Sequence, residues 1–215
     1  MKKAKKILVL ALSACLLVAV TIGATVAYLT AEDEVVNTFT VGNVQIELNE
    51  TDVKPDGTKD TDERVDANTY HLLPGHTYTK DPTVKVLATS EECYVKMTVT
   101  IDKASELDAI FAPAGATLTD IFNDYDPTKW IAKGDTKDAE ANTRTYEFWY
   151  CQKVDASEED KTLQALFSSI TVPGAITGKQ LATIDGMTIT VNAYAIQADG
   201  FADDKEAWEA FSEAK

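Results

Sequence analysis

His71 and His76 are the chain's only histidines, and they flank Leu72-Leu73-Pro74-Gly75. A zinc-peptidase helix carries two histidines one turn apart with a glutamate between them to activate water. Here the spacing is five, Pro74 and Gly75 break any helix, and no glutamate intervenes. The pair therefore reads as turn histidines, and neither a metal nor another cofactor is expected from it. Asp52, Asp56, Asp60 and Asp62 crowd one polar stretch, but not at the alternate spacing of a calcium loop. They read as a solvated acidic loop. Cys93 and Cys151 lie on two predicted strands, and an even pair in an exported chain suggests a disulfide; two buried free thiols are the alternative. A cysteine nucleophile needs a base beside it, and only the turn histidines are on offer. With no glycine-rich phosphate loop and no nucleophile elbow, an enzyme is not expected.

The third cysteine, Cys15, belongs to a segment with another purpose. Met1–Lys6 is basic, and 7–22 is an apolar run broken only by Ser13, Cys15 and Thr21. Gly23-Ala24-Thr25-Val26-Ala27 follows, with small side chains at Thr25 and Ala27 in the places a signal peptidase reads. Cleavage before Tyr28 is the expectation, with an uncleaved membrane anchor as the alternative. Leu12-Ser13-Ala14-Cys15 also matches the box after which lipoproteins are cut and lipidated, so lipidation at Cys15 is a rival processing route. The end of the chain, Phe211-Ser212-Glu213-Ala214-Lys215, carries no hydrophobic tail, and a carboxy-terminal anchor is not expected.

The whole chain of 215 residues has a net charge of −15. Lys2, Lys3, Lys5 and Lys6 are the only charges in the first 27 residues, which leaves 16 basic against 35 acidic residues and a net charge of −19 beyond them. A surface of that sign repels phosphates, so nucleic acid is excluded as a partner, and the membrane enters only through the uncleaved signal.

The elements that carry these residues are mostly strands. Val44, Ile46 and Leu48 alternate with Gln45 and Glu47. Val95, Met97, Val99 and Ile101 share a face, with Lys96, Thr98 and Thr100 behind them. Segment 187–195 alternates in the same way, and 83–88 and 145–154 read as two further strands. Helices are expected from Ser105 through Leu107, Ile110 and Phe111, from Ser157 through Leu163, Leu166 and Phe167, and over 203–211. The stretch 49–68, with Pro55-Asp56-Gly57 inside it, reads as a long turn-rich loop. The pattern predicts a mainly β fold, a β-sandwich with short helical additions. Its domains are a signal peptide at 1–27, an amino-terminal segment at 28–40 and one β-sandwich domain at 41–215.

Several short motifs resemble a known group of exported proteins. Gly23-Ala24-Thr25-Val26-Ala27-Tyr28-Leu29-Thr30 and Asn37-Thr38-Phe39-Thr40-Val41-Gly42-Asn43-Val44 are the most specific. Leu73-Pro74-Gly75, Lys80-Asp81-Pro82-Thr83-Val84, Ser90-Glu91-Glu92-Cys93-Tyr94-Val95 and Val172-Pro173-Gly174 continue the likeness. So does Ala193-Tyr194-Ala195-Ile196-Gln197-Ala198-Asp199-Gly200-Phe201 with Ala207-Trp208. Together they resemble the TasA/camelysin (CalY) family of Gram-positive bacteria, whose members are matured by a SipW-type signal peptidase. The resemblance implies a jelly-roll-like β-sandwich, secreted to the cell surface or the biofilm matrix, that self-associates into filaments. In such fibres the freed amino terminus inserts as a strand into the next subunit; here that donor comprises Tyr28, Leu29, Thr30, Val35 and Val36, running toward Phe39. A co-exported assembly protein is a further partner the resemblance admits. Against the donor role, Glu32, Asp33 and Glu34 interrupt the alternation. The competing readings are a monomeric surface adhesin, lipid-anchored through Cys15, and a camelysin-type metallopeptidase, for which no zinc motif is present.

Overall fold

The apolar alternation at 95–101 belongs to β5 (Ser90–Asp102), the longest strand described. A computed structural model describes residues 43–111 and 122–213. Thr25, Ala27, Tyr28, Leu29, Thr30, Val35, Val36 and Cys15 lie outside them. In chain order the remaining elements are β1 (Ile46–Val53), β2 (Lys59–Val65), β3 (Thr77–Thr79), β4 (Thr83–Val86), α1 (Ala104–Phe111), β6 (Phe122–Asn123), β7 (Trp130–Asp138) and β8 (Thr143–Tyr150). Then follow β9 (Val154–Ala156), β10 (Lys161–Thr162), β11 (Ser169–Thr171), α2 (Gly178–Leu181), a 3₁₀ turn at Ala182–Ile184, β12 (Ile189–Gln197) and α3 (Asp204–Glu213).

The strands form three antiparallel sheets, in the orders β10-β4-β1-β2, β3-β11-β6 and β12-β5-β8-β7, with β9 beside the start of β5. The fold is mainly β and β-sandwich-like, with few short helices. One apolar core joins the sheets: Val84 and Val86 from β4, Tyr78 from β3, Ile170 from β11, Val95, Val99 and Ile101 from β5, and Phe148 from β8 are all buried in it. Burying each such side chain contributes about 1.5–3 kcal/mol, so the alternation seen in sequence is the main driving force for this architecture.

The other face of β5 is not solvated as its Lys96 and threonines suggest. At one end, Tyr94 and Lys96 are covered by α3, which lays Ala207 and Trp208 over them. The helix starts where Asp203 accepts the Glu206 N–H at 2.9 Å, the geometry of an N-cap.

Several expectations are corrected. Ser105 does not cap α1. Asn142, in a left-handed conformation (φ 53°), accepts the Ala104 and Ser105 N–H groups at 3.1 and 3.0 Å and caps it from a distant turn. No helix runs through Leu163, Leu166 and Phe167. That segment is irregular, because its backbone donates to Val84 and Pro82 carbonyls while all three side chains enter the core. The strand expected over 145–154 breaks at 151–153 between β8 and β9. The stretch 49–68 is largely the β1–β2 hairpin and not a loop. Its outer strand, Lys-Asp-Thr-Asp-Glu-Arg-Val, has no apolar alternation and is held by backbone pairing and by Arg64. Arg64 donates to Asn49 Oδ1, to Asp81 Oδ2 and to two backbone carbonyls.

The turn of this hairpin sets a sharp steric limit. Gly57 has φ +81°, and a Cβ there would sit 2.8 Å from both Cα and Cδ1 of Tyr78, a fully buried ring. Replacing Gly57 by alanine is expected to cost on the order of 2–4 kcal/mol, from left-handed strain plus overpacking. Urea unfolding reads this as a lower midpoint at unchanged slope; a midpoint equal to that of the parent would refute it.

Candidate functional site

Open sheet edges are where a β protein can accept another chain, and most edges here are blunted. β7 ends its sheet with Lys133, Asp135, Lys137 and Asp138 and with a register shift between Ala132 and Gly134. β2 ends its own with five charged residues in seven. β10, β3 and β6 are only two or three residues long. β12 differs: it has nine residues, Ile-Thr-Val-Asn-Ala-Tyr-Ala-Ile-Gln, carries no charge, and among the described strands pairs with β5 alone. Half of β1 is similar, since Ile46–Asn49 pairs with β4 on one side and β2 takes up only the later residues.

Alongside the start of β12 lies a groove. A cavity of about 760 Å³ is bounded by Tyr70, Leu72, Ile170, Leu181, Ile184 and Met187, with Thr188 and Thr190 at its rim. A second space of about 200 Å³ continues it between Leu48 and Val191. Ala67, Asn68, Lys80, Ile189 and Thr190 line both. Among the described residues the site is thus a strand edge, Ile189–Ala193, with no second strand on it, beside apolar recesses. The wall of the larger recess is shaped by α2, whose Thr177 and Gln180 form a reciprocal capping box. Opposite it the Pro74-Gly75 and Pro173-Gly174 turns abut, the Gly75 N–H donating to Val172 O at 2.9 Å. A Cβ at either glycine would meet the other's Cα at an ordinary contact distance of 3.6–3.7 Å, so it is the left-handed backbone of Gly75 (φ +75°), and not lack of space, that favours glycine there.

At the junction of the two cavities sits a polar cluster the sequence did not single out. Glu50 and Lys80 are 5% and 7% exposed, and Lys80 Nζ lies 2.7 Å from Glu50 Oε2. Asn68 Nδ2 donates to Glu50 Oε1 at 3.0 Å. The Tyr70 ring stands 5.9 Å from the ammonium, and burial, with the Glu50 charge, pushes its phenol well above the usual range. A second cation, Lys96, is 6% exposed under α3, 4.6 Å from the Trp208 ring centre and 3.4 Å from Glu147 Oε2. These residues come from strands, connections and a helix far apart in sequence, so no local spacing marks them.

The residues singled out by type do not converge. His71 offers its carbonyl to the Tyr78 hydroxyl, and His76 tilts against the Tyr78 ring 6.4 Å away. Each of these four aspartates is occupied locally: Asp52 by Thr61, Asp56 by Thr58, Asp60 by Lys54 and Asp62 by Lys59. The Thr58 hydroxyl and N–H hold the Asp56 carboxyl low, and the Lys59 ammonium does the same for Asp62. Among the described residues no group of three or more His, Cys, Asp or Glu could hold a metal ion.

Cys93 and Cys151 are free thiols and form no disulfide; Cys93 is buried and Cys151 exposed. Cys93 aligns with Val154 and points into the core, while Cys151 sits in the break after β8 with its N–H on Lys129 O. Burial, with the Glu92 charge, pushes the Cys93 thiol up to about 11. No family model matches the chain, and no curated protein or solved structure matches it.

At pH 8 only about one Cys93 thiol in a thousand is therefore ionised, and the side chain is closed to solvent. A maleimide at that pH is expected to label Cys151 and spare Cys93 in the folded protein, and to label both after denaturation. Peptide mapping checks this; equal native labelling of the two would contradict the geometry.

Proposed function

We propose that this chain is an exported structural subunit of a cell-surface or biofilm-matrix fibre, joined by strand exchange after its signal is removed. The observation that carries this reading is the unblunted outer edge of β12, from Ile189 to Ala193, beside the apolar groove. A strand added there gains backbone hydrogen bonds along the edge, and its alternate side chains fill the recesses. The donor in this proposal is the segment Tyr28–Val36 of a neighbouring copy. Its resemblance to the TasA/camelysin signal region supports that choice. A contact made head to tail does not close on itself, so it propagates as a filament. Until the signal is cleaved, a membrane-held Ala27 cannot thread into a partner, which makes processing the switch.

Protein beginning at Tyr28 is expected to form filaments by negative-stain electron microscopy, and a version lacking Tyr28–Val36 to stay monomeric. Monomers from both at high concentration would remove self-assembly and favour a secreted binding domain that uses the same groove. Filaments from both would remove the donor assignment alone.

Charge opposes this assembly. With a net charge of −19 after processing, neighbouring copies repel one another, and protonating carboxylates relieves that. Several carboxyls resist: Asp126 and Asp155 are held low by Thr128 and Ser157, and Glu159 by Lys161. Assembly should therefore accelerate on acidification through the range in which carboxyls ordinarily protonate, around pH 4, with these held-low groups the last to contribute. A light-scattering rate that is flat from neutral pH down through that window would contradict the electrostatic account.

A further inference from the structure

The cluster of Glu50, Asn68 and Lys80 is arranged as a reaction site. Lys80 ends in a nucleophilic nitrogen, and Asn68 offers a carboxamide, an acyl group with ammonia as its leaving group. One carboxylate holds both: Lys80 Nζ on Glu50 Oε2 at 2.7 Å, and Asn68 Nδ2 on Glu50 Oε1 at 3.0 Å. The carboxamide is fixed at its other atoms too. Asn68 Oδ1 accepts the Val53 N–H at 3.0 Å, and Nδ2 also donates to Thr51 O at 2.9 Å. Glu50 and Lys80 are nearly excluded from water, with the Tyr70 ring as an apolar wall. All three side chains line the cavity of about 200 Å³ that lies against them, which leaves room for Nζ to swing from Glu50 onto Cγ.

The geometry points to an intramolecular isopeptide bond between Lys80 Nζ and Asn68 Cγ, formed by the folded chain itself with Glu50 as the proton relay. The ammonium proton passes to Glu50 Oε2 along the hydrogen bond, leaving a neutral amine. Its lone pair attacks Cγ and forms the Nζ–Cγ bond, while the carbonyl electron pair moves onto Oδ1. The Val53 N–H faces that oxygen and stabilises the developing charge as an oxyanion donor does. Glu50 then hands its proton to Nδ2 and takes the second proton from Nζ. The oxyanion pair returns, the Cγ–Nδ2 bond breaks, and Glu50 gives up the second proton to the departing nitrogen. Two protons have moved from Nζ to Nδ2, ammonium leaves through the cavity, and no oxidant or co-reactant is needed. An unactivated amide is a poor electrophile in water, and holding the acyl group against a buried amine and a buried relay is what makes the step accessible.

The product ties the exit of the β1–β2 hairpin to the residue that leads into β4, and encloses His71, His76 and β3 in a covalent loop. It does not rest on the fibre reading, because it forms within one folded copy.

Intact-mass measurement and tryptic mapping of the purified, folded chain read the bond. The expected result is a mass lower by one ammonia, no cleavage after Lys80, and a branched peptide joining it to Asn68. Glu50→Gln keeps the side-chain size but removes the relay, and should reduce the linked fraction at least tenfold. Lys80→Arg should abolish it. Unlinked Asn68 and Lys80 in folded parent protein after prolonged incubation would overturn the proposal, whatever the variants do. Ammonia loss that persists in Lys80→Arg would assign it to a backbone succinimide at Asn68 and overturn it equally. Filament formation enters neither outcome, so failure here leaves the assembly question where it stands.

Discussion

The structure depends on β5 being buried on both faces and paired along both edges. β12 runs antiparallel to it from Cys93 to Ile101, β8 from Lys96 to Asp102, and β9 takes the residues before β8 begins. Its inward side chains Val95, Met97, Val99 and Ile101 make the centre of the main core, while Tyr94 and Lys96 meet α3 on the other face. A slip of one residue would turn Lys96, Thr98 and Thr100 into the apolar core and place Val95 and Met97 under the aromatic helix. The register is therefore strongly specified from both sides. Lys96 is the clearest sign of it: a lysine this deeply covered is tolerated because Trp208, Phe211 and Glu147 surround its ammonium at 4.6, 5.3 and 3.4 Å.

That arrangement leaves β12 in an unusual position. It must be apolar toward β5 and the core, so Ile189, Val191, Ala193 and Ala195 cannot be replaced by the charges that protect β7 and β2. On its other face Tyr194 and Ile196 pack under α3, while Thr190 and Asn192 are exposed and free of that constraint, yet they are polar without being charged. Lysine or proline at such places would protect an edge at little cost to the core. The combination keeps a flat, neutral edge beside an apolar recess, while strands at the opposite ends of their sheets are charged.

The fold was legible where burial follows a short period. The strands at 95–101 and 187–195 and the helix at 203–211 show their apolar faces within a few residues. Where neighbours distant in sequence decide, the pattern misleads. Leu163, Leu166 and Phe167 have helical spacing, but the carbonyls of Val84 and Pro82 claim the backbone and keep it out of a helix. β2 has no apolar face to read, and its place is set by Arg64 reaching Asn49 and Asp81. Lys96 reads as a solvent-facing residue because the helix that covers it lies more than a hundred residues later. The Glu50, Asn68 and Lys80 cluster was hidden for the same reason: two of its members fall in the stretch that reads as a polar loop.

The location of that cluster follows from how unevenly the chain distributes its apolar surface. The β1–β2 hairpin buries Val53 fully, Ile46 and Leu48 only in part, and nothing from the outer strand except a share of Val65. It is held to the rest by polar contacts: Arg64 with Asp81, Thr51 with both Asp81 oxygens, Asn68 with Val53 and Glu50, and Glu50 with Lys80. Each such contact contributes only about 1 kcal/mol net, because water competes for the same groups. A buried ion pair is also a weak stabiliser once its desolvation is counted. The hairpin is thus secured more by these polar contacts and by its pairing with β4 than by the core, yet Leu48, Asn49 and Glu50 form one wall of the groove beside β12. A groove that is to grip an incoming strand needs both walls to resist being pulled apart. Strengthening this wall with more apolar surface would fill the recess, so the remaining means are polar or covalent, and Glu50, Asn68 and Lys80 stand where either would act.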